Sequence, residues 1–84
     1  MSKVRYSAKF VLPDGQELTL TRGSKEDYGY TWAWILLAGA DDWKEQGAVL
    51  NKGFSRTRRH AERAAQAGLR FKPDRVALYA EVTK

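Results

Sequence analysis

The chain has 84 residues, no cysteine and a formal net charge of +5. A domain of this length buries only about 60–65 % of the surface its unfolded chain exposes, so it depends on one small core or on self-association. The lack of cysteine excludes disulfides and thiolate zinc sites and fits a reducing cytoplasm. The charge is unevenly placed: residues 1–50 hold six Lys/Arg against seven Asp/Glu, and residues 51–84 hold nine against three. Such asymmetry points to an anionic partner, nucleic acid first among them.

Lys3 and Arg5 are not followed by an apolar h-region, so no secretory signal is expected. The longest apolar run, Trp32 to Ala40, is far short of the roughly 20 residues that span a bilayer. These features predict one soluble, cytoplasmic domain over residues 1–84 with no membrane partner.

Val4, Tyr6, Ala8, Phe10 and Leu12 fall at every second position, the period of a strand with one buried face. Pro13-Asp14-Gly15 supplies a turn, and Leu18 and Leu20 continue the alternation to close a hairpin. Gly23 to Asp27 reads as a loop. Tyr28, Tyr30, Trp32, Trp34 and Leu36 then line one side of an extended segment, and Ala33, Ile35 and Leu37 line the other. A strand apolar on both sides belongs at the centre of a sheet. Trp32, Ile35, Leu36, Gly39 and Trp43 also fit helical spacing, but the richness in Tyr, Thr and Trp favours a strand.

Ala38 to Lys44, with Asp41-Asp42, reads as a turn, followed by a short strand around Gln46 to Asn51. Gly53-Phe54-Ser55 introduces a helix with Ser55 or Thr57 as N-cap. Ala61, Ala64, Ala65 and Gly68 form its small-residue face, and Gly68 is a natural residue at which to end it. Pro73-Asp74 marks a turn, and Val76, Leu78, Ala80 and Val82 alternate as a last strand. The order β-β-β-β-α-β predicts an α+β fold: an antiparallel sheet of four to five strands with one helix packed on one face. The large aromatic side of the central strand should meet the alanine side of the helix. One helix covers one face only, which leaves Ile35 and Leu37 as candidate partner contacts and a homodimer as one way to cover them.

At about 100° per residue, Arg56, Arg59 and Arg63 fall within an arc of roughly 60° nearly opposite the alanines. Arg58 flanks them and Lys52 precedes them. Arginines at a helix N-terminus oppose the macrodipole and repel one another, with only Glu62 nearby to compensate. Lys52, Arg56, Arg58, Arg59 and Arg63 are therefore the candidate phosphate contacts. Trp43, in a charged loop, is the aromatic expected to be exposed. Tyr28, Tyr30, Trp32, Trp34 and Trp43 interleave with basic residues and could stack on bases, but aromatics at alternate positions of a central strand, Trp32 and Trp34 here, are more often core.

His60 is the only histidine, and no nucleophile or orienting acid is placed beside it by the sequence. Asp41-Asp42 and Glu26-Asp27 are adjacent loop carboxylates of the kind that form turns. No phosphate loop, dinucleotide fingerprint or metal-ligand spacing occurs. No enzyme activity, cofactor or metal is expected.

Trp32-Ala33-Trp34-Ile35-Leu36, with Gly53-Phe54-Ser55 and Ala61, Ala64 and Ala65, resembles the small YegP-like domains and small actinobacterial and bacteriophage proteins. That resemblance implies a fold more than an activity. Thr57-Arg58-Arg59-His60-Ala61-Glu62-Arg63-Ala64-Ala65 is similar to the helix start of double-stranded RNA-binding domains, which implies phosphate contacts by Arg58 and Arg59. The Val4–Arg22 hairpin stands where that family has its N-terminal helix. The expected function is a non-enzymatic nucleic-acid-binding module of low sequence specificity. The alternative is a protein-interaction or inhibitor module of the phage host-takeover type, docking on a host protein or on itself.

Overall fold

In a computed structural model, which describes residues 3–42 and 47–84, the elements follow the expected order. They are β1 (Val4–Val11), β2 (Glu17–Ser24), β3 (Trp32–Leu37), β4 (Val49–Ser55), α1 (Arg58–Phe71) and β5 (Val76–Glu81). All strand pairs are antiparallel, so the fold is α+β with one helix on one face, and the strands divide into two sheets. The β1–β2 hairpin forms one, and the other has the order β4-β3-β5.

The hairpin turn follows from Pro13-Asp14-Gly15, with the Asp14 carboxylate accepting the Gln16 N–H at 3.0 Å. Its register sets Ala8 opposite Leu20 and Phe10 opposite Leu18, which gathers the alternating apolar residues on one face. That face lies on Ala33, Ile35 and Leu37 of β3. The face expected to lack cover is thus covered by the chain's own hairpin. Ile35 is 0 % and Leu37 2 % exposed, so neither is a partner contact. The sequence expectation failed because it placed the hairpin in the same sheet as β3, whereas a two-layer arrangement buries both apolar faces at once.

On the other side of β3, Trp34 and Leu36 pack against Ala61 and Ala65 of α1, large against small as expected. Burying a side chain such as Ile35 stabilises by roughly 1.5–3 kcal/mol, and β3 is buried over its whole length after Trp32. Ala64 is exposed, and Leu69 packs on this core in its place. Gly68 does not end the helix. A Cβ there would sit 2.2 Å from Leu36 Cδ2, so glycine lets the last helical turns lie against the sheet.

The strand expected around Gln46 to Asn51 begins at Val49 and runs on to Ser55, while Gln46 lies outside the described residues. Gly53 and Phe54 had read as helix punctuation but pair with Trp34 and Ala33. A Cβ on Gly53 would meet three atoms of the Trp34 indole at 2.7–2.9 Å. The glycine serves close approach rather than a chain break. Β4 carries a bulge at Leu50, where the register slips between Leu36 and Leu37.

Two polar clusters tie the ends together. Asp27 accepts from the Tyr6 hydroxyl at 2.8 Å, the Gly29 N–H at 2.8 Å and Lys84 Nζ at 2.5 Å, while Tyr6 Oη accepts the Tyr28 N–H. The ammonium of Lys84, followed by the Gly29 and Tyr6 bonds, holds the Asp27 carboxyl down to about 2. Asp42 pairs with Lys72 and Arg75, and the Lys72 bond leads in lowering its pKa as well. Along one side, Ser7 and Thr83 exchange backbone hydrogen bonds, each 2.8 Å, and stitch the hairpin to the segment after β5.

Two outcomes test this arrangement. Gly53→Ala should lower stability by about 1–3 kcal/mol through overpacking against the indole, whereas Gly23→Ala, with nothing within 4 Å of its Cβ, should leave it nearly unchanged; urea unfolding measures both. Asp27 has a depressed folded-state pKa, so its contribution is complete above its ordinary carboxylate range and is lost as pH falls through about 2. Thermal unfolding of Asp27→Asn should therefore depend less on acid pH than that of the parent chain.

Candidate nucleic-acid interface

Thr57 is the N-cap: its hydroxyl accepts the His60 N–H at 3.1 Å. The helix therefore begins at Arg58, and Arg56 lies before it. Arg56 is not on the helical stripe; its Nε donates to the Tyr28 carbonyl at 2.8 Å, and its own carbonyl accepts from Thr31 Oγ1 at 2.5 Å.

Arg58 is engaged too. Its Nε bonds Glu62 at 3.1 Å, and its guanidinium carbon lies 5.1 Å from the Trp32 ring centroid and 5.5 Å from that of Tyr79. Burial raises the Tyr79 hydroxyl pKa, with the Glu62 charge adding and the Arg58 charge opposing. The local cost of Arg58 at the helix start thus has a structural compensation that one-dimensional reading misses, because Trp32 and Tyr79 come from β3 and β5. His60 is exposed on the flank of the helix, and its backbone N–H serves only the cap.

Arg59 and Arg63 remain. Both are exposed and neither joins an ion pair among the described residues. Arg70, overlooked in the sequence because it lies in the last turn, continues the same line; with Glu62, Gln66 and Ala67 these side chains border an open space of ≈ 530 Å³. The spacing of i, i+4 and i+11 returns to one face of a 3.6-residue helix. This space stands on the convex side of one helix, so it has no second wall and suits an extended surface rather than an enclosed small molecule.

Of the nine basic residues after position 50, Arg58, Lys72, Arg75 and Lys84 are in ion pairs. The charge asymmetry of the sequence therefore resolves onto the helix stripe, Arg56 and Lys52. Lys52 lies on β4, the free edge of the three-stranded sheet, opposite Ile35, and its N–H is taken by Asn51 Oδ1 at 2.9 Å. Trp43, the expected aromatic contact, lies outside the described residues. No group of three or more His, Cys, Asp or Glu suited to a metal occurs among the described residues.

Because Arg58 lies over two rings and Arg59 does not, their substitutions should differ. Arg58→Gln should lower stability by about 0.5–1 kcal/mol, and Arg59→Gln should stay within about 0.5 kcal/mol of the parent, both read by urea unfolding. Comparisons of the chain with protein-family models, with curated proteins and with solved structures find no match in any of the three.

Proposed function

We propose that this domain is a non-enzymatic nucleic-acid-binding module that contacts phosphates through Arg59, Arg63 and Arg70. The observation that carries this reading is the alignment of three exposed arginines on one helix face with no ion-pair partner among the described residues. Structural roles account for Arg58 and contribute to Arg56, but not for Arg59 and Arg63. Arg70 is favoured at the C-terminal end by the helix dipole, yet it also extends the stripe. From Arg59 to Arg70 the helix rises about 16 Å, which spans several phosphates of one strand at about 3.4 Å of axis each. Side chains of this kind grip backbone rather than base edges, so binding should be largely indifferent to sequence.

A second reading rests on Phe71, which is 84 % exposed beside Arg70. An apolar ring next to a basic stripe also suits an acidic protein surface or a second copy of the chain. With the β3 face covered, a protein partner would use this helix. No helix among the described residues is long and apolar enough to cross a membrane.

Fluorescence anisotropy with labelled oligonucleotides at low salt tests the first reading. Affinity should fall steeply with salt, and replacing Arg63 with Gln should reduce the slope of log K against log salt by about 1. Absence of binding at low salt, combined with self-association that Phe71→Ser abolishes in light scattering, would favour the second reading instead.

A further inference from the structure

Among the described residues, backbone hydrogen bonds join the hairpin to the segment after β5 on the β1 side, between Ser7 and Thr83. The other side, between β2 and β4, is open and holds a cleft of ≈ 220 Å³ bordered by Leu20, Arg22, Lys52 and Phe54. Arg22 pairs in register with buried Tyr6, and Lys52 with buried Ile35, so both side chains stand on the inward faces of their strands. Neither has an ion-pair partner among the described residues. Two like charges therefore border one cleft without a counter-charge.

Aromatic rings continue from this cleft to the surface. Phe54 and Tyr30 have centroids 5.9 Å apart, as do Tyr30 and Tyr28. The Arg22 guanidinium lies 5.2 Å from the Tyr30 centroid, Arg56 is fixed to the Tyr28 carbonyl, and Tyr28 itself is 41 % exposed. Alternation along the chain assigned Tyr28 and Tyr30 to the same side as Trp32. Both lie before β3, and Tyr30 packs with Tyr6 and Phe54 on the hairpin side instead.

We propose that Tyr28, Tyr30 and Phe54, flanked by Arg22, Lys52 and Arg56, form a platform for single-stranded nucleic acid. This deepens the phosphate-binding reading and rests on it. An inward charge on each free edge also guards a sheet against pairing with another chain. Guarding accounts for the cations but not for a ring left exposed beside them. Exposed rings can stack only on bases whose faces are free, and a duplex offers base edges in its grooves. The Tyr28 and Tyr30 rings are tilted by 47° and separated by more than the 3.4 Å rise of stacked bases. Tyr30 is half-buried, with the Arg22 guanidinium over its ring and Tyr6 and Phe54 packed against it, so it supports Tyr28, whose exposed ring is the one offered to an unpaired base.

Anisotropy titrations at low salt with short oligothymidylate, oligouridylate and a duplex of equal length test the proposal, with polyglutamate as an acidic competitor. Either single strand should bind at least about tenfold more tightly than the duplex. Tyr28→Ala should weaken single-strand binding by about 5- to 100-fold and spare the duplex, and Tyr28→Phe should retain it, since stacking needs the ring and not the hydroxyl. The Tyr28 N–H and carbonyl, not its side chain, bond Tyr6 and Arg56, so both variants keep these bonds, and circular dichroism checks their fold. Equal affinity for duplex and single strand, or an unaffected Tyr28→Ala, overturns the platform and leaves helix-borne binding standing. Absence of binding to every oligonucleotide, or capture of polyglutamate in preference to them, overturns both.

Discussion

The rest of the molecule depends on a strand with no polar face. From Ala33 to Leu37 every side chain of β3 is apolar and buried, so the strand can exist only with a layer on each side. The helix supplies one and the hairpin the other. Both layers also touch the flanking strands, the hairpin side at Phe54, Leu78 and Ala80 and the helix side at Leu50, Ala77 and Tyr79, but the buried residues they meet lie on β3: the hairpin's inward residues meet Ile35 and Leu37, and the helix's alanines meet Trp34 and Leu36. An isolated hairpin is marginal in water, and an alanine face contributes little unless a large side chain fills the space opposite. The layers are thus stable through the strand, and the strand through the layers.

This constraint explains which parts of the fold could be read from the sequence. Element order and the opposition of tryptophan to alanine follow from periodicities local to each segment. The division into two sheets does not, since the same alternation in β1 and β2 suits a hairpin beside β3 or above it. Gly53 and Gly68 misled for a related reason. A glycine that breaks a chain and one that admits a neighbour look alike until the neighbour is known, and here the neighbours are Trp34 and Leu36 on another element. Tyr30 shows the limit of periodicity itself: once the chain leaves the strand, as it does before Trp32, the side-chain phase is free.

The cations of the candidate interface were legible in the sequence, but which of them are already engaged within the fold was not. Sequence counts a cation wherever an arginine or lysine stands, while structure shows what each is already doing. Arg58 lies over rings from β3 and β5, Lys72 and Arg75 hold Asp42, and Lys84 holds Asp27. Partners this far apart in sequence leave no local pattern. Arg59 and Arg63 have no ion-pair partner among the described residues, and folding brings Arg70 onto their face and Arg22 to the cleft beside Lys52.

Covering β3 from both sides also fixes where contacts to other molecules can form. Once the two layers have closed, basic residues without ion-pair partners among the described residues border the outer face of α1 and the open side between β2 and β4. The first is a convex, arginine-bearing line that can follow a charged polymer. The second is a cleft along the edge between β2 and β4 in which cations adjoin rings. These two surfaces differ in shape and chemistry, and both carry cations with no ion-pair partner among the described residues. On the function proposed above, a polymer with regularly spaced phosphates would meet both, because each added phosphate extends contact without requiring a pocket. The exposed Tyr28 ring beside the second would add what the first lacks, a preference for a polymer whose bases are free.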